Sequence, residues 1–301
     1  MVDKDAFSGF HPLVNMLYFV VVIGFSMFFM HPVSLTISLI CALVYASYLN
    51  RKRFIRMGLI FMLPMLLFTA ALNPLFNHQG ATILAYLPNG NPLTLESTIF
   101  GIAAAVMLIT VVSWFSCFNS VMTSDKFVYL MGRIIPALSL ILSMSLRFVP
   151  LFTSQLKAVS NAQKGIGLDV KSGSILQRAK NGIKIMSIMV TWALENAIET
   201  ADSMKNRGYG LPGRTAFSIF RFDKRDAKAI VFITLCTVAV IAGAALEIFR
   251  FRYFPTISHI SSDWHVIWTI TLFTVYFALC AFPIILNIKE DIIWKSIESK
   301  I

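Results

Sequence analysis

Long apolar runs alternate with short polar or basic segments along most of the chain. A bilayer core about 30 Å thick requires roughly 20 apolar residues in a helix, and six runs meet or approach that length. They cover approximately residues 12–30, 33–49, 57–76, 98–119, 228–248 and 264–287. The pattern predicts an all-α integral membrane protein with about six transmembrane helices.

The segment between the fourth and fifth predicted spans, residues 121–227, combines helical apolar spacing with many charges. One helix is predicted to begin near Ser124 and to kink at Pro136, because proline disrupts a helix interior. The uncharged stretch 134–146 within it is too short to span and predicts a helix at the membrane interface. A second helix is expected to begin at Phe148-Val149-Pro150, and a third, longer one to run over about 175–207.

The third of these helices carries one apolar stripe along its whole length. Its middle, Ile185 to Leu194, is apolar nearly all round. A single packing partner needs one stripe only, so two surfaces are expected to be covered there. Met186, Met189 and Val190 are the candidate contacts with a partner, and packing against the chain's own spans is the alternative.

Charge placement predicts the orientation in the membrane. The short segment 51–56 is strongly basic, whereas 77–97 holds neither lysine nor arginine. Short basic loops stay in the cytoplasm, so 77–97 is expected outside, with both chain termini in the cytoplasm.

Three regions follow from this orientation. They are a four-span region, 1–120, a block of cytoplasmic coupling helices, 121–227, and a two-span region, 228–301. The middle block holds 15 lysines and arginines against 7 acidic residues. An ordinary cytoplasmic bias and attraction to anionic lipid explain part of that surplus. No nucleic-acid motif accompanies it, so nucleic acid is not an expected partner.

Residue patterns that carry catalysis or bind cofactors are sparse. The sequence has no phosphate-binding glycine loop, no Ser-His-Asp arrangement and no histidine pair at metal spacing. No catalytic residue, cofactor or metal is therefore expected, and any ATP use must come from a partner. The predicted span cores hold no charged residue, which argues against a proton-coupled carrier and an intramembrane enzyme. Thr69, Asn73 and Ser113 leave an uncharged polar pathway open, with hydrogen bonding between helices as the alternative.

Two glycine-rich helix ends in the middle block carry a family resemblance. The first is Lys164-Gly165-Ile166-Gly167, and the second is Asn206-Arg207-Gly208-Tyr209. With the surrounding spans, they resemble the Ala-Arg-Gly motifs of the transmembrane (T) component of energy-coupling factor transporters, the family that includes cobalt-transport T proteins. Asn206 replaces the alanine of the second motif, and Ile166 stands where the arginine of the first motif is expected.

The resemblance implies a non-catalytic scaffold in the cell membrane. In such ABC-type importers of vitamins or metal ions, each of two ABC ATPase subunits takes one coupling-helix end in a groove. A small membrane-embedded S component binds the substrate, and here Met186, Met189 and Val190 would contact it. A stand-alone permease and a membrane anchor of a non-transport complex are the competing functions. For Arg207 alone, the alternative role is a basic residue that complements the helix dipole.

Overall fold

Helices make up most of the backbone, as the apolar runs predict, and the chain is an all-α membrane protein. The computed structural model describes residues 5–298 except 87, 89, 210, 212–219, 250, 257 and 260–265. The helices are α1 (Pro12–Phe28), α2 (Pro32–Met57), α3 (Leu63–Phe76), α4 (Leu95–Val121), α5 (Ser124–Ile134), α6 (Pro136–Gly165), α7 (Ile175–Asn206), α8 (Lys224–Ala245) and α9 (Val266–Glu298), with a π-helical turn at Gly58–Met62. Internal contacts divide the chain into a membrane unit, residues 1–127 with 220–301, and a middle unit, residues 128–219.

Within the described residues, five helical segments are long and apolar enough to cross a bilayer. They are Pro32–Leu49, Leu95–Val121, Leu138–Gly165, Lys224–Ala245 and Val266–Glu298. Four of them coincide with predicted spans, whereas the first and third predicted spans form the shorter apolar helices Pro12–Phe28 and Ile60–Phe76. Seventeen residues is about the lower limit for crossing a bilayer.

The predictions made from the two prolines of the middle block are wrong. Pro136 does not kink a helix: α5 ends at Ile134, and Pro136 opens α6. The first helical position suits proline because that N–H has no intrahelical partner. Pro150 lies inside the continuous 30-residue α6 and does not begin a new helix. The stretch 134–146, predicted as a short interfacial helix, is therefore mostly the first half of this long helix.

The core of the membrane unit is built around α1. Val14, Tyr18, Phe19 and Val22 are fully buried on this helix, and Trp114 of α4 is fully buried against them. This helix is surrounded by protein on the face that these side chains share.

Polar side chains between the spans join neighbouring helices. The indole Nε1 of Trp114 on α4 donates to Ser38 Oγ on α2 at 2.9 Å, and Ser38 Oγ lies 2.7 Å from Ser26 Oγ on α1. Ser113 donates to the Ile109 carbonyl of its own helix at 2.7 Å. The bonds of Trp114, Ser38 and Ser26 satisfy polar groups between helices. Asn73 Oδ1 is buried with no hydrogen-bond partner among the described residues, so hydrogen bonding between helices does not account for all three of the polar residues Thr69, Asn73 and Ser113.

The segment predicted to lie outside, 77–97, contains a short hairpin. Strands β1 (Ile83–Tyr86) and β2 (Pro92–Thr94) pair antiparallel, and Thr94 then caps α4 by accepting from the Ser97 amide. A second antiparallel pair, β3 (Phe251–Arg252) and β4 (Ser258–His259), precedes α9. The sequence does not predict these strands, because strands this short have no readable alternation.

The N-terminal segment Asp5–His11 is held by side chains from distant helices, and we call it the N-terminal clamp. Asp5 accepts hydrogen bonds from Tyr45 Oη on α2 at 2.9 Å and from Asn287 Nδ2 on α9 at 2.6 Å. Asn287 Oδ1 accepts from the Ala6 amide at 2.7 Å. Tyr45 and Asn287 are almost completely buried, so these bonds tie α2 and α9 to the start of the chain.

The same clamp reaches the two places where the chain leaves and re-enters the membrane unit. Lys126, at the start of α5, donates to the Ser8 carbonyl at 2.6 Å and to the Val121 carbonyl at 3.0 Å. Burial lowers the pKa of Lys126, and the Asp5 charge partly opposes that shift. On α8, Asp226 accepts from the His11 amide at 3.0 Å. The clamp thus fixes the beginning of α5 and of α8 within this unit.

Candidate functional site

The C-terminal end of α7 is closed by a regular hydrogen-bonded cap. The Gly208 amide donates to the Lys205 carbonyl at 3.0 Å, and the Tyr209 amide donates to the Met204 carbonyl at 3.1 Å. Gly208 has φ +75°, a left-handed conformation that favours glycine. These features define a Schellman cap, in which Arg207 is the C-cap residue. We call this turn the Arg207 tip.

The C-terminal end of α6 is closed in the same way. The Gly167 amide donates to the Lys164 carbonyl at 3.1 Å, and the Leu168 amide donates to the Gln163 carbonyl at 2.9 Å. Gly167 has φ +81°. Ile166 is therefore the C-cap residue of this turn, which we call the Ile166 tip.

The two tips have matching backbones. Ile166 has φ −96° and ψ 14°, and Arg207 has φ −85° and ψ 9°. Each C-cap residue follows a lysine by two positions and precedes a left-handed glycine and a larger apolar residue. Ile166 and Arg207 therefore have equivalent backbone positions in the two caps, and their side chains start from the same place in each cap.

Both C-cap side chains are exposed. Ile166 is 68% exposed, and Arg207 is also exposed. Among the described residues, no acidic group lies within hydrogen-bonding distance of the Arg207 guanidinium. Asn206, Lys164 and Gly165 are exposed as well, so both tips present side chains and backbone to a partner.

The loop after the Ile166 tip folds back on the first turns of α7. Asn181, buried on α7, donates from Nδ2 to the Asp169 carbonyl at 3.0 Å. Arg178 donates from Nε to the Val170 carbonyl at 2.9 Å. These bonds satisfy carbonyls that follow the end of α6, and they hold the Ile166 tip beside α7.

Helix α7 has two apolar faces. Ile185 and Met189 are buried, at 5% and 7% exposure, and Trp192 makes an edge-to-face contact with Phe152 of α6, with ring centroids 5.2 Å apart. The opposite face is open and consists of large apolar side chains that are 53–71% exposed. We call it the outer face of α7; its members are Ile183, Met186, Val190, Leu194 and Ile198.

The predicted contact residues divide between these two faces. Met186 and Val190 lie on the outer face, at 62% and 53% exposure. Met189 belongs to the buried face and packs within the middle unit, so it does not share the surface predicted for it. Spacing alone does not separate Met186 from Met189, because the sequence is apolar nearly all round at this point.

The chemistry available at the tips is that of binding. Within the residues that the structure describes, no group of three or more histidine, cysteine or acidic side chains is placed to hold a metal ion. Exposed cations near the negative end of a helix dipole, together with exposed apolar side chains, suit a protein partner with acidic and apolar surfaces.

Sequence reasoning missed two residues of the tips, Lys205 and Leu168. Lys205 corresponds to Lys164, and Leu168 corresponds to Tyr209, in the two matching caps. A repeated signal was present, since both tips read Lys-x-x-Gly followed by a large apolar residue. A glycine at this position with an apolar residue after it is the ordinary signature of a Schellman cap.

Comparison with known proteins identifies one family model. The model described as CbiQ, cobalt transport protein, matches residues 8–219. The match covers most of the membrane unit's first half and the whole middle unit, with both tips.

Several curated proteins are similar to the chain over part of its length. The energy-coupling factor transporter transmembrane protein EcfT of Lactococcus lactis subsp. cremoris is 34% identical over 35% of this chain and 40% of its own length. The EcfT of Streptococcus equi subsp. equi is 28% identical over 58% of this chain and 68% of its own length. A Lactobacillus helveticus EcfT is 32% identical over 33% of this chain and 36% of its own. The chain thus aligns with less than half of the Lactococcus and Lactobacillus proteins.

Proposed function

Because the chain belongs to the CbiQ family of cobalt transport proteins, we propose that it is the transmembrane coupling component of an energy-coupling factor transporter. In this role it holds no substrate and hydrolyses no ATP. It carries movement from two ABC ATPase subunits to a small membrane-embedded S component that binds a vitamin or a metal ion. The membrane unit anchors the complex, with both termini in the cytoplasm.

One observation carries the proposal: two helix ends within the family match have the same Schellman cap and expose their C-cap side chains. Two equivalent ends suit a partner that offers two related grooves, as a pair of ATPase subunits does. A helix dipole explains a basic residue at one end. The Schellman cap accounts for the shared glycine position, but neither it nor the dipole explains why a lysine stands two residues before the C-cap in both tips.

The Arg207 tip supplies the charged contact. A guanidinium makes paired hydrogen bonds to a carboxylate in a fixed geometry, and Arg207 is exposed at the end of a rigid helix. Truncating one partner of such a buried pair costs about 2–5 kcal/mol. That loss corresponds to a drop in affinity of at least about 30-fold, since 1.4 kcal/mol is tenfold.

The outer face of α7 is the candidate contact with the S component. Five large apolar side chains on one face exceed what a soluble surface normally exposes. Met186 lies among them, and methionine suits a surface that repacks as a partner moves, because its side chain is flexible and polarizable. A second exposed apolar region of the middle unit is the first half of α6, where Leu138 and Ile141 are exposed.

Affinity purification of the tagged chain from its native membranes in mild detergent tests the proposal. Wild-type chain is expected to bring down two ABC ATPase subunits and a small membrane protein. Arg207→Glu is expected to lose the ATPases, because attraction to a carboxylate becomes repulsion. The matched control is Lys180→Glu, which makes the same charge change at an exposed position of α7 and should retain them.

Two outcomes of this experiment contradict the proposal. One is a wild-type chain that purifies with no ATPase subunit, which favours the permease or the anchor of another complex. The other is equal recovery of ATPases with Arg207→Glu and with wild type, which removes Arg207 from the docking surface.

Photo-crosslinking separates the two faces of α7. Crosslinkers at positions 186 and 190 are expected to capture a small membrane protein, whereas one at position 189 should react only within the chain. Intramolecular products at all three positions would contradict an S-component contact on this face.

A further inference from the structure

The two tips carry different side chains at their C-cap position, where their backbones match closely. Ile166 and Arg207 have φ and ψ values that agree within about 11° and 5°. The preceding lysines and the following left-handed glycines also correspond. The flanking positions differ as well, with Gly165 against Asn206 and Leu168 against Tyr209, but only the C-cap position changes the charge, from an exposed isoleucine in one tip to an exposed arginine in the other.

We propose that the Ile166 tip docks into a groove with an apolar wall, whereas the Arg207 tip docks into a groove with carboxylates, so that the two tips are not interchangeable. This inference rests on the function proposed above and specifies the partner of the first tip. Ile166 is the residue that selects its groove.

Lys164 does not take the place of an arginine in the first tip. The Arg207 tip has its own lysine, Lys205, at the position that corresponds to Lys164. Both lysines lie two residues before the C-cap, which is about 200° round the helix from the C-cap side chain. The first tip thus retains the lysine of the pattern and lacks the guanidinium.

An acidic groove is a poor receptor for Ile166. Docking would remove water from the carboxylates and leave them without a cationic partner, and unpaired buried charges are strongly unfavourable. An apolar wall gains instead from burying a side chain that is 68% exposed in this chain. Two identical acidic grooves therefore do not fit these two tips.

Titration of the purified ATPase pair onto detergent-solubilised chain tests the assignment. Ile166→Leu conserves the apolar character and is expected to retain affinity within about threefold, since volume-conserving apolar changes are well tolerated. Ile166→Arg recreates the second tip's side chain at the first and is expected to weaken binding by about tenfold or more, because it buries a charge against an apolar wall. Both substitutions are at an exposed position that neither the core nor the cap bonds require.

Arg207→Ile and the double variant Ile166→Arg with Arg207→Ile complete the set. Each is expected to bind more weakly than wild type, since the tips and grooves are matched one to one. In a second measurement, photo-crosslinkers at positions 166 and 207 are expected to capture ATPase chains of two different masses, because two identical subunits would present identical grooves.

Equal or tighter binding by Ile166→Arg, or capture of one ATPase species at both positions, overturns this inference and leaves the proposed function intact. Failure of the wild-type chain to bind any ATPase pair would instead overturn the proposed function. The two failures are therefore distinguishable in one set of titrations.

Discussion

Replacement of the left-handed glycine of the Arg207 tip by alanine tests whether the cap geometry matters for docking. Gly208 has φ +75°, where an L-residue is disfavoured by about 1–2 kcal/mol. An added Cβ would also lie 3.1 Å from Leu211 Cδ1, a contact that the end of a flexible side chain can relieve. The backbone effect therefore dominates the expected cost of Gly208→Ala.

That cost opposes the bonds that close the tip, namely those from the Gly208 and Tyr209 amides. A change of about 1–2 kcal/mol shifts the ratio of closed to frayed tip by roughly 5- to 30-fold. If docking requires the closed tip, affinity for the ATPase pair is expected to fall within that range. Hydrogen exchange at the Tyr209 amide should accelerate in the isolated chain, which gives a measurement that needs no partner.

Gly182→Ala is the matched control on the same helix. Gly182 lies inside α7 with ordinary helical dihedrals, and nothing lies within 4 Å of an added Cβ. Alanine is favoured over glycine there by about 1 kcal/mol, so binding is expected to be unchanged. Unaltered ATPase affinity and Tyr209 exchange in Gly208→Ala would refute the reasoning, as would an equal loss in both variants.

Three further predictions concern the membrane unit and its orientation. Asn287→Leu should lower the melting temperature in detergent, because it removes two bonds to the N-terminal clamp, each worth about 1–3 kcal/mol; an unchanged melting temperature would show that the clamp is not stabilising. Burial lowers the pKa of Lys126 below its ordinary 10.5, so the unfolded chain binds more protons between the two values, and stability rises with pH across that interval. The variant Lys126→Met should lack this rise, and identical pH profiles of the two chains would contradict it. A membrane-impermeant thiol reagent, applied to intact cells expressing a cysteine-free chain, should label Leu84→Cys and spare Lys171→Cys; the reverse pattern would invert the topology.

Features that depend on neighbouring residues are readable from the sequence. Helix α7 runs from Ile175 to Asn206, and the sequence predicted 175–207. The agreement is close because Ser174 before the helix and Gly208 after it are strong local signals of a helix start and a helix end. The apolar runs likewise located four of the five candidate spans, although α9 continues to Glu298, beyond the predicted end at 287, and Leu138–Gly165 was not predicted as a span. The lysine and glycine positions that both tips share can also be read directly from the local sequence.

Features that depend on distant contacts were not readable. Ala6 and Asn287 are bonded across almost the whole chain, and no spacing rule links them. Met186 and Met189 differ in burial only because α6 packs on one side of α7. Pro150 was assigned to a helix start because proline prefers the first turn of a helix. In the structure it lies inside α6, where the surrounding turns tolerate the loss of one backbone hydrogen bond.

In the proposed function, movement at the tips reaches the outer face of α7. The most direct test is the yield of a photo-crosslink from position 190 to the small membrane protein, measured with and without ATP in the purified complex. The yield is expected to change on addition of ATP in the wild type and to show no response to ATP with Arg207→Glu. A wild-type yield that is independent of ATP, or an ATP response that survives Arg207→Glu, would contradict the claim.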